Sequence, residues 1–174
     1  MRTKGGFTII ELLLTLIILG ILAAVAIPGF STWAPDYRLR GAVRDLKSDM
    51  ELAKQRAIRE GANVALTFDE ANNTYTIFVD NGADGGVAGD WILNGSEAVI
   101  KTVIIHPHVT MYEARFAGGV PHFRFDARGL PNGTGGHLYM RNTKDNYRGI
   151  RVNMLGRVRI ETSSDGGTSW EPVG

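Results

Sequence analysis

The chain has no cysteine in its 174 residues, so it can form no disulfide and offers no thiol nucleophile. It has no surplus of either charge. Nineteen Lys and Arg face eighteen Asp and Glu, and a net charge of +1 selects no class of partner. There is no P-loop, no dinucleotide fingerprint, and no serine beside a credible base. We therefore read no enzyme and expect no cofactor. Internal repeats and low-complexity tracts are missing as well. Long apolar runs are rare too, and the single one present carries most of the information.

Phe7 to Ile27 contains Glu11 as its only ionisable side chain. About 20 apolar residues at ~1.5 Å rise span the ~30 Å hydrocarbon core of a bilayer. Arg2 and Lys4 precede the run, which puts the amino terminus on the cytoplasmic side. A secretory signal is cleaved after its apolar core. Here the only small-residue site, Gly5-Gly6, lies before the core, so cleavage would leave the helix on the mature protein. A carboxylate in a bilayer costs on the order of 3 kcal/mol, so Glu11 calls for a partner. Pro28-Gly29 then predicts a kink or local melting near Ile27.

The spacing of Gly5, Gly6, Phe7, Thr8 and Glu11 resembles the class III leader of type IV pilins and type II secretion pseudopilins. The resemblance implies cleavage after Gly6 by a prepilin peptidase and methylation of the new terminus at Phe7. It also implies that Glu11 offsets the positive terminus of a neighbouring subunit and so guides docking. The lack of cysteine fits a minor pilin or pseudopilin better than the many major pilins that close a disulfide loop.

Tyr37 to Arg59 predicts an amphipathic helix, because Leu39, Val43, Leu46, Met50, Ala53 and Ala57 recur at three- and four-residue steps. Gly61 is placed to end it. The period then becomes two. Strands are expected at 63–68 and 74–79 around an Asn72-Asn73 turn, and at 98–105, 122–125, 137–140, 150–154 and 157–162. The layout is α+β: a leader (1–6), a transmembrane or filament-core helix (7–28), an amphipathic helix (29–61) and an antiparallel all-β periplasmic domain (62–174). Phe125-Asp-Ala-Arg-Gly129, Leu155-Gly-Arg-Val-Arg159 and Asp80-Asn-Gly-Ala-Asp84 narrow the resemblance to the GspH/FimT family of minor pilins and pseudopilins.

That resemblance implies a subunit held by the inner membrane, then assembled with other pilin-like subunits into a secretion pseudopilus or a type IV pilus. Its further partners are the peptidase, membrane lipid before assembly, and the inner-membrane assembly platform. Two other classes stay open: a DNA-binding pilin for DNA uptake, and a monomeric anchored periplasmic binding domain.

Charge is unevenly spread. Residues 61–114 hold seven acids and one base; residues 115–160 hold nine bases and two acids. Strand parity places Arg151, Arg157 and Arg159 on one outer face, with Arg124, Arg141, Lys144 and Arg148 as extensions. The Gly156-Arg-Val-Arg159 segment is similar to one through which FimT-type members are proposed to hold double-stranded DNA. The plainer alternative is a face paired with an acidic neighbour. Asp80, Asp84 and Asp90 are candidate ligands for a divalent cation, although Gly82 and Trp91 stand where an EF-hand needs oxygen ligands. His106 and His108, split by Pro107, make a weak metal pair. Ser163 to Trp170 fits an Asp-box hairpin, so Asp165 is read as structural.

Overall fold

The computed structural model describes residues 6–173, and within these the side chains other than those of residues 25–32. Met1 to Gly5, including the leader glycine Gly5, lie outside it. The chain divides into two compact units, Met1–Ala34 and Pro35–Gly174. Helix α1 runs over Ile9–Glu60. The helical assignment is unbroken at Pro28, so the local melting expected near Ile27 does not occur. Among the described residues no helix is long and apolar enough to cross a membrane. The last residues of the apolar run, 25–27, lack described side chains.

In the second unit α1 ends where Gly61 turns left-handed (φ +62°), and the Ala62 N–H donates to the Ala57 carbonyl. Glycine alone adopts that conformation without a Cβ penalty. Nine strands follow: β1 Asn63–Asp69, β2 Thr74–Asp80, β3 Val99–Ile104, β4 Val109–Arg115, β5 His122–Phe125, β6 Gly136–Asn142, β7 Tyr147–Val152, β8 Val158–Ser163 and β9 Glu171–Pro172. They form two antiparallel sheets, ordered β3-β2-β1-β5 and β4-β6-β7-β8-β9.

All six residues of the predicted helical stripe, from Leu39 to Ala57, are fully buried or nearly so. They join one cluster with Leu66 and Ile77 of the first sheet and Leu138, Met140 and Ile150 of the second. Polar ties reinforce this packing. Asp49 of α1 is buried and accepts hydrogen bonds from the Tyr75 hydroxyl (2.6 Å) and the Lys101 ammonium (2.8 Å). Burial, and then Asp49, push the Tyr75 hydroxyl up.

β4 went unread in the sequence because a bulge breaks its alternation. Its register with β6 shifts between Tyr112 and Arg115, with Glu113 at φ +50°. The β1–β2 turn holds this strand in place. The Asn73 side chain donates to the Val109 carbonyl (2.7 Å) and accepts from Met111 N–H (2.9 Å), while Glu70 accepts from Ala114 N–H (2.8 Å). The turn expected at Asn72-Asn73 thus also links the two sheets.

Leu46 sits in the middle of the stripe with no exposure. Leu46→Ala is expected to cost about 2–5 kcal/mol of stability through lost burial and a residual cavity. Thermal or urea unfolding of the variant measures it; a change under ~1 kcal/mol would show that the stripe is not the core.

Candidate functional site

The amino-terminal end of α1 carries the first candidate site. Thr8 and Glu11 satisfy each other reciprocally. The Thr8 N–H donates to the Glu11 carboxylate (2.9 Å), and the Glu11 N–H donates to the Thr8 hydroxyl (3.3 Å). This is a capping box, which satisfies amides that a helix start leaves unpaired. The sequence reading gave Glu11 an intermolecular partner and missed this local one, although Thr-x-x-Glu is a legible signature. Phe7 and the large apolar side chains through Leu22 are about half exposed or more, on every side of the helix. A helix apolar all round needs lipid or other helices to cover it.

The second candidate is the arginine face. Arg151 and Arg159 lie directly opposite on β7 and β8, as parity predicted. Their states differ. Arg151 donates to Glu161 (2.7 Å) and to the Tyr139 hydroxyl (3.3 Å), which anchors it on the sheet. Arg157 and Arg159 are exposed, and among the described residues neither has an ion-pair partner. Of the expected extensions, Arg141 of β6, opposite Tyr147, shares the arginine face, whereas Arg124 and Arg148 do not join it. Arg124 lies on β5 of the other sheet, its guanidinium 4.7 Å over the Trp91 ring and 3.8 Å from buried Asp80. Arg148 has the parity opposite to Arg151. Burial, with Arg40 and Arg44 of α1 nearby, pushes its guanidinium down.

The acidic loop contradicts the cation-site reading. Asp80 is fully buried and accepts from Gly89 N–H (2.5 Å) and Trp91 N–H (3.3 Å). Asp84 accepts from the Ser96 hydroxyl, and Asp90 from Ile92 N–H (2.9 Å) and the Asn94 amide (2.8 Å). The glycine-rich loop turns its own amides onto Asp80 and Asp90 and the Ser96 hydroxyl onto Asp84, so each carboxylate has its own local donor. Among the described residues no group of three or more His, Asp or Glu is placed to hold a metal ion. The histidines are dispersed: His122 stacks on Trp91 and His137 on Tyr139, while His106 has His108 beside it.

Both C-terminal motifs serve the fold. Lys54 of α1 donates to the Gly156 carbonyl (3.1 Å). A Cβ on Gly156 would lie 2.8 Å from the Gly129 carbonyl oxygen, so the two motif loops meet over the carboxyl end of α1. In the 163–170 turn, Asp165 accepts from Thr168 N–H (3.0 Å) and Ser169 N–H (2.9 Å). The Trp170 indole stacks on Tyr139 at 3.8 Å and 4°. Asp165 is structural, as expected.

The family described as Type II transport protein GspH matches residues 42–156. The chain belongs to the GspH family. A prokaryotic N-terminal methylation motif covers residues 1–27. The structure resembles the minor pseudopilin EpsH of the Vibrio cholerae type 2 secretion system (TM-score 0.56, 14% identity, 74% of this chain and 99% of that one). It also resembles the type IV minor pilin FimU of Pseudomonas aeruginosa (TM-score 0.54, 19% identity, 75% and 98%). At those identities the likeness is one of fold: a helix followed by antiparallel sheets. In sequence, a fimbrial protein of Pseudomonas aeruginosa is 34% identical over 77 residues, 44% of this chain and 49% of that protein. The pilin-like protein PilA1 of Thermus thermophilus is 40% identical over 84 residues, 47% and 52%. The chain spans about half the length of the curated relatives it matches.

Gly156→Ala meets both a left-handed φ (+71°) and backbone at 2.8 Å, whereas Gly118→Ala meets a left-handed φ (+84°) and open space. Gly118→Ala should cost about 1 kcal/mol and Gly156→Ala clearly more, as read by unfolding midpoints. Hydrogen bonds from Ser169, first its hydroxyl and then its N–H, hold Asp165 well below the usual carboxylate range. A depressed value means that its contribution is complete above the unfolded-state pKa (~3.9) and fades as pH falls through the lower folded value. Trp170 emission should therefore stay constant from neutral pH to about 4 and change only in stronger acid. Asp165→Ala should show the released Trp170 signal already at neutral pH.

Proposed function

We propose that this GspH-family chain is a minor pseudopilin or pilin subunit, processed after Gly6, methylated at Phe7 and polymerised through α1. Before assembly the apolar segment holds it in the inner membrane with the β unit in the periplasm. After assembly it is part of a type II secretion pseudopilus or a type IV pilus, supporting secretion or pilus biogenesis. The observation that carries this reading is the segment from Phe7 to Leu22, helical from Ile9, apolar on all sides and exposed, with Glu11 as its single charge. Such a surface is stable only against lipid or like helices, and both occur in the life of a pilin-like subunit. The methylation motif over residues 1–27 supports the processing step.

The capping box adds a physical detail. In the unassembled subunit, Glu11 has its own Thr8 as a hydrogen-bond partner, which lowers the cost of keeping a carboxylate in lipid. On assembly the same carboxylate meets the methylated amine of a neighbour. Charge and cap are separable. Glu11→Gln keeps an oxygen that can accept from Thr8 N–H but removes the charge, while Glu11→Ala removes both. Both variants should be membrane-inserted yet absent from the assembled filament fraction, and the mature wild type should begin at N-methylated Phe7 by mass spectrometry. Normal incorporation of Glu11→Gln would mean that Glu11 acts only as a helix cap. Wild-type chain that never enters a filament fraction would favour a monomeric anchored domain.

A further inference from the structure

A groove of about 330 Å³ opens beside β5, the outer strand of the first sheet. Three consecutive residues of that strand, His122, Phe123 and Arg124, line it together with Trp91, Val120 and Asn132. Residues of both parities take part, so the groove follows the edge of the strand rather than either face. None of its lining residues is acidic. Ligand pockets begin near ~300 Å³, so this one has room for a ligand of about one ring.

The strand supplies backbone donors. Phe68 N–H of the β1 side donates to the Pro121 carbonyl, so odd-numbered residues of this stretch turn their backbone groups toward β1. His122 and Arg124 therefore turn theirs outward. The Arg124 carbonyl accepts from Asn132 N–H (3.1 Å) on that side. The N–H groups of His122 and Arg124 have no backbone partner among the described residues. Asn132 adds an exposed side-chain amide at the same place.

Arg124 supplies the charge. Its Nε and Nη1 are buried and have no hydrogen-bond partner among the described residues. Such orphans are rare in folded proteins, because a buried donor without an acceptor costs about 1–3 kcal/mol. Asp80 stands 3.8 Å away, but its two oxygens already accept from Gly89 N–H and Trp91 N–H. The guanidinium is held in this state by packing: Trp91 lies under it, and a Cβ on Gly89 would collide with Nη1. Trp91 itself has φ +60°, a left-handed backbone that a bulky residue rarely adopts, and strain of this kind gathers at binding sites. His122 stacks on the same indole, and burial pushes its imidazole down, which keeps it uncharged at neutral pH. One cation, outward amides and an aromatic wall thus meet in a groove without an acid.

We infer that the β5 groove binds a small carboxylic acid with a flat apolar body. The carboxylate accepts from the Arg124 guanidinium and from the outward N–H groups of His122 and Arg124, a donor set that an oxyanion matches. The ring of the ligand lies against Val120 and the Trp91 indole. Asn132 donates from the open side. A bare phosphate would use the donors and leave the apolar wall wet. No residue of α1 takes part, so the site stands or falls independently of the subunit assignment.

The test follows the full chain in non-ionic detergent by NMR while benzoate, benzamide or inorganic phosphate is added. Benzoate should shift the His122 and Arg124 amides and the Trp91 indole N–H, and the shifts should saturate. Benzamide keeps the ring and loses the charge, so it should bind on the order of tenfold more weakly. Asn132→Asp sets a carboxylate at the exposed mouth and should weaken benzoate by about the same factor while the unfolding midpoint stays unchanged. Arg124→Gln should abolish binding. That change also leaves Asp80 buried without its counter-charge, so Asn132→Asp carries the test if Arg124→Gln does not fold. Benzoate shifts that never saturate, or that are as large at Arg157 and Arg159, would overturn the site. Benzamide binding as tightly as benzoate, or Asn132→Asp binding benzoate unchanged, would overturn the role of charge. Phosphate shifting the same amides as strongly as benzoate would overturn the need for a ring, and with it the inference.

Discussion

The globular unit depends on the apolar stripe of α1. Leu39, Val43, Leu46, Met50, Ala53 and Ala57 form a shared wall for both sheets, and the core cluster joins all three elements. Both sheets bury core side chains in one cluster with α1, so a solvated helix would uncover part of each. A helical stripe can serve two sheets because residues three and four apart lie on one face while their side chains diverge to either side. Asp49 then fixes the helix against the first sheet by accepting from both Tyr75 and Lys101. Lys54 fixes it against the β7–β8 loop at the Gly156 carbonyl.

Function divides along the same line. Phe7 and the exposed apolar residues of α1 from Ile9 to Leu22 are suited to lipid and to other helices, and they contribute nothing to the globular core. The stripe from Leu39 onward does the opposite. One helix thus carries two unrelated burial demands in succession. The apolar side chains of the first unit stay exposed, while those of the second are buried in the core.

Charge shows the limits of a linear reading. The acidic run 61–114 looked like a reservoir for a cation or a partner, yet Asp80, Asp90, Glu70 and Glu97 accept hydrogen bonds from nearby amides of loops and edge strand. The basic half behaves less uniformly still. Arg124 is folded over Trp91 and Arg151 is held by Glu161, whereas Arg157 and Arg159 have no ion-pair partner among the described residues. Residue type and strand parity could not separate these cases, because the partner of each arginine comes from another strand or loop.

What the sequence by itself determined is local and periodic. The 3.6-residue stripe, the two-residue alternation of most strands and the glycine stop at Gly61 follow from spacing along the chain, while the family was legible through the resemblance of its leader and C-terminal motifs. β4 escaped because its bulge at Glu113 breaks the alternation, and the short β9 because two residues carry no period. Only the tertiary structure decided which polar groups meet. Asp49 reaches Lys101 across 52 residues and Lys54 reaches Gly156 across 102. A groove lined by Arg44, Lys47, Arg157 and Arg159 likewise joins a helix to a distant strand. A periodic pattern reports which face a side chain takes, whereas its neighbours on that face depend on sheet order and register, which are set by packing over the whole unit.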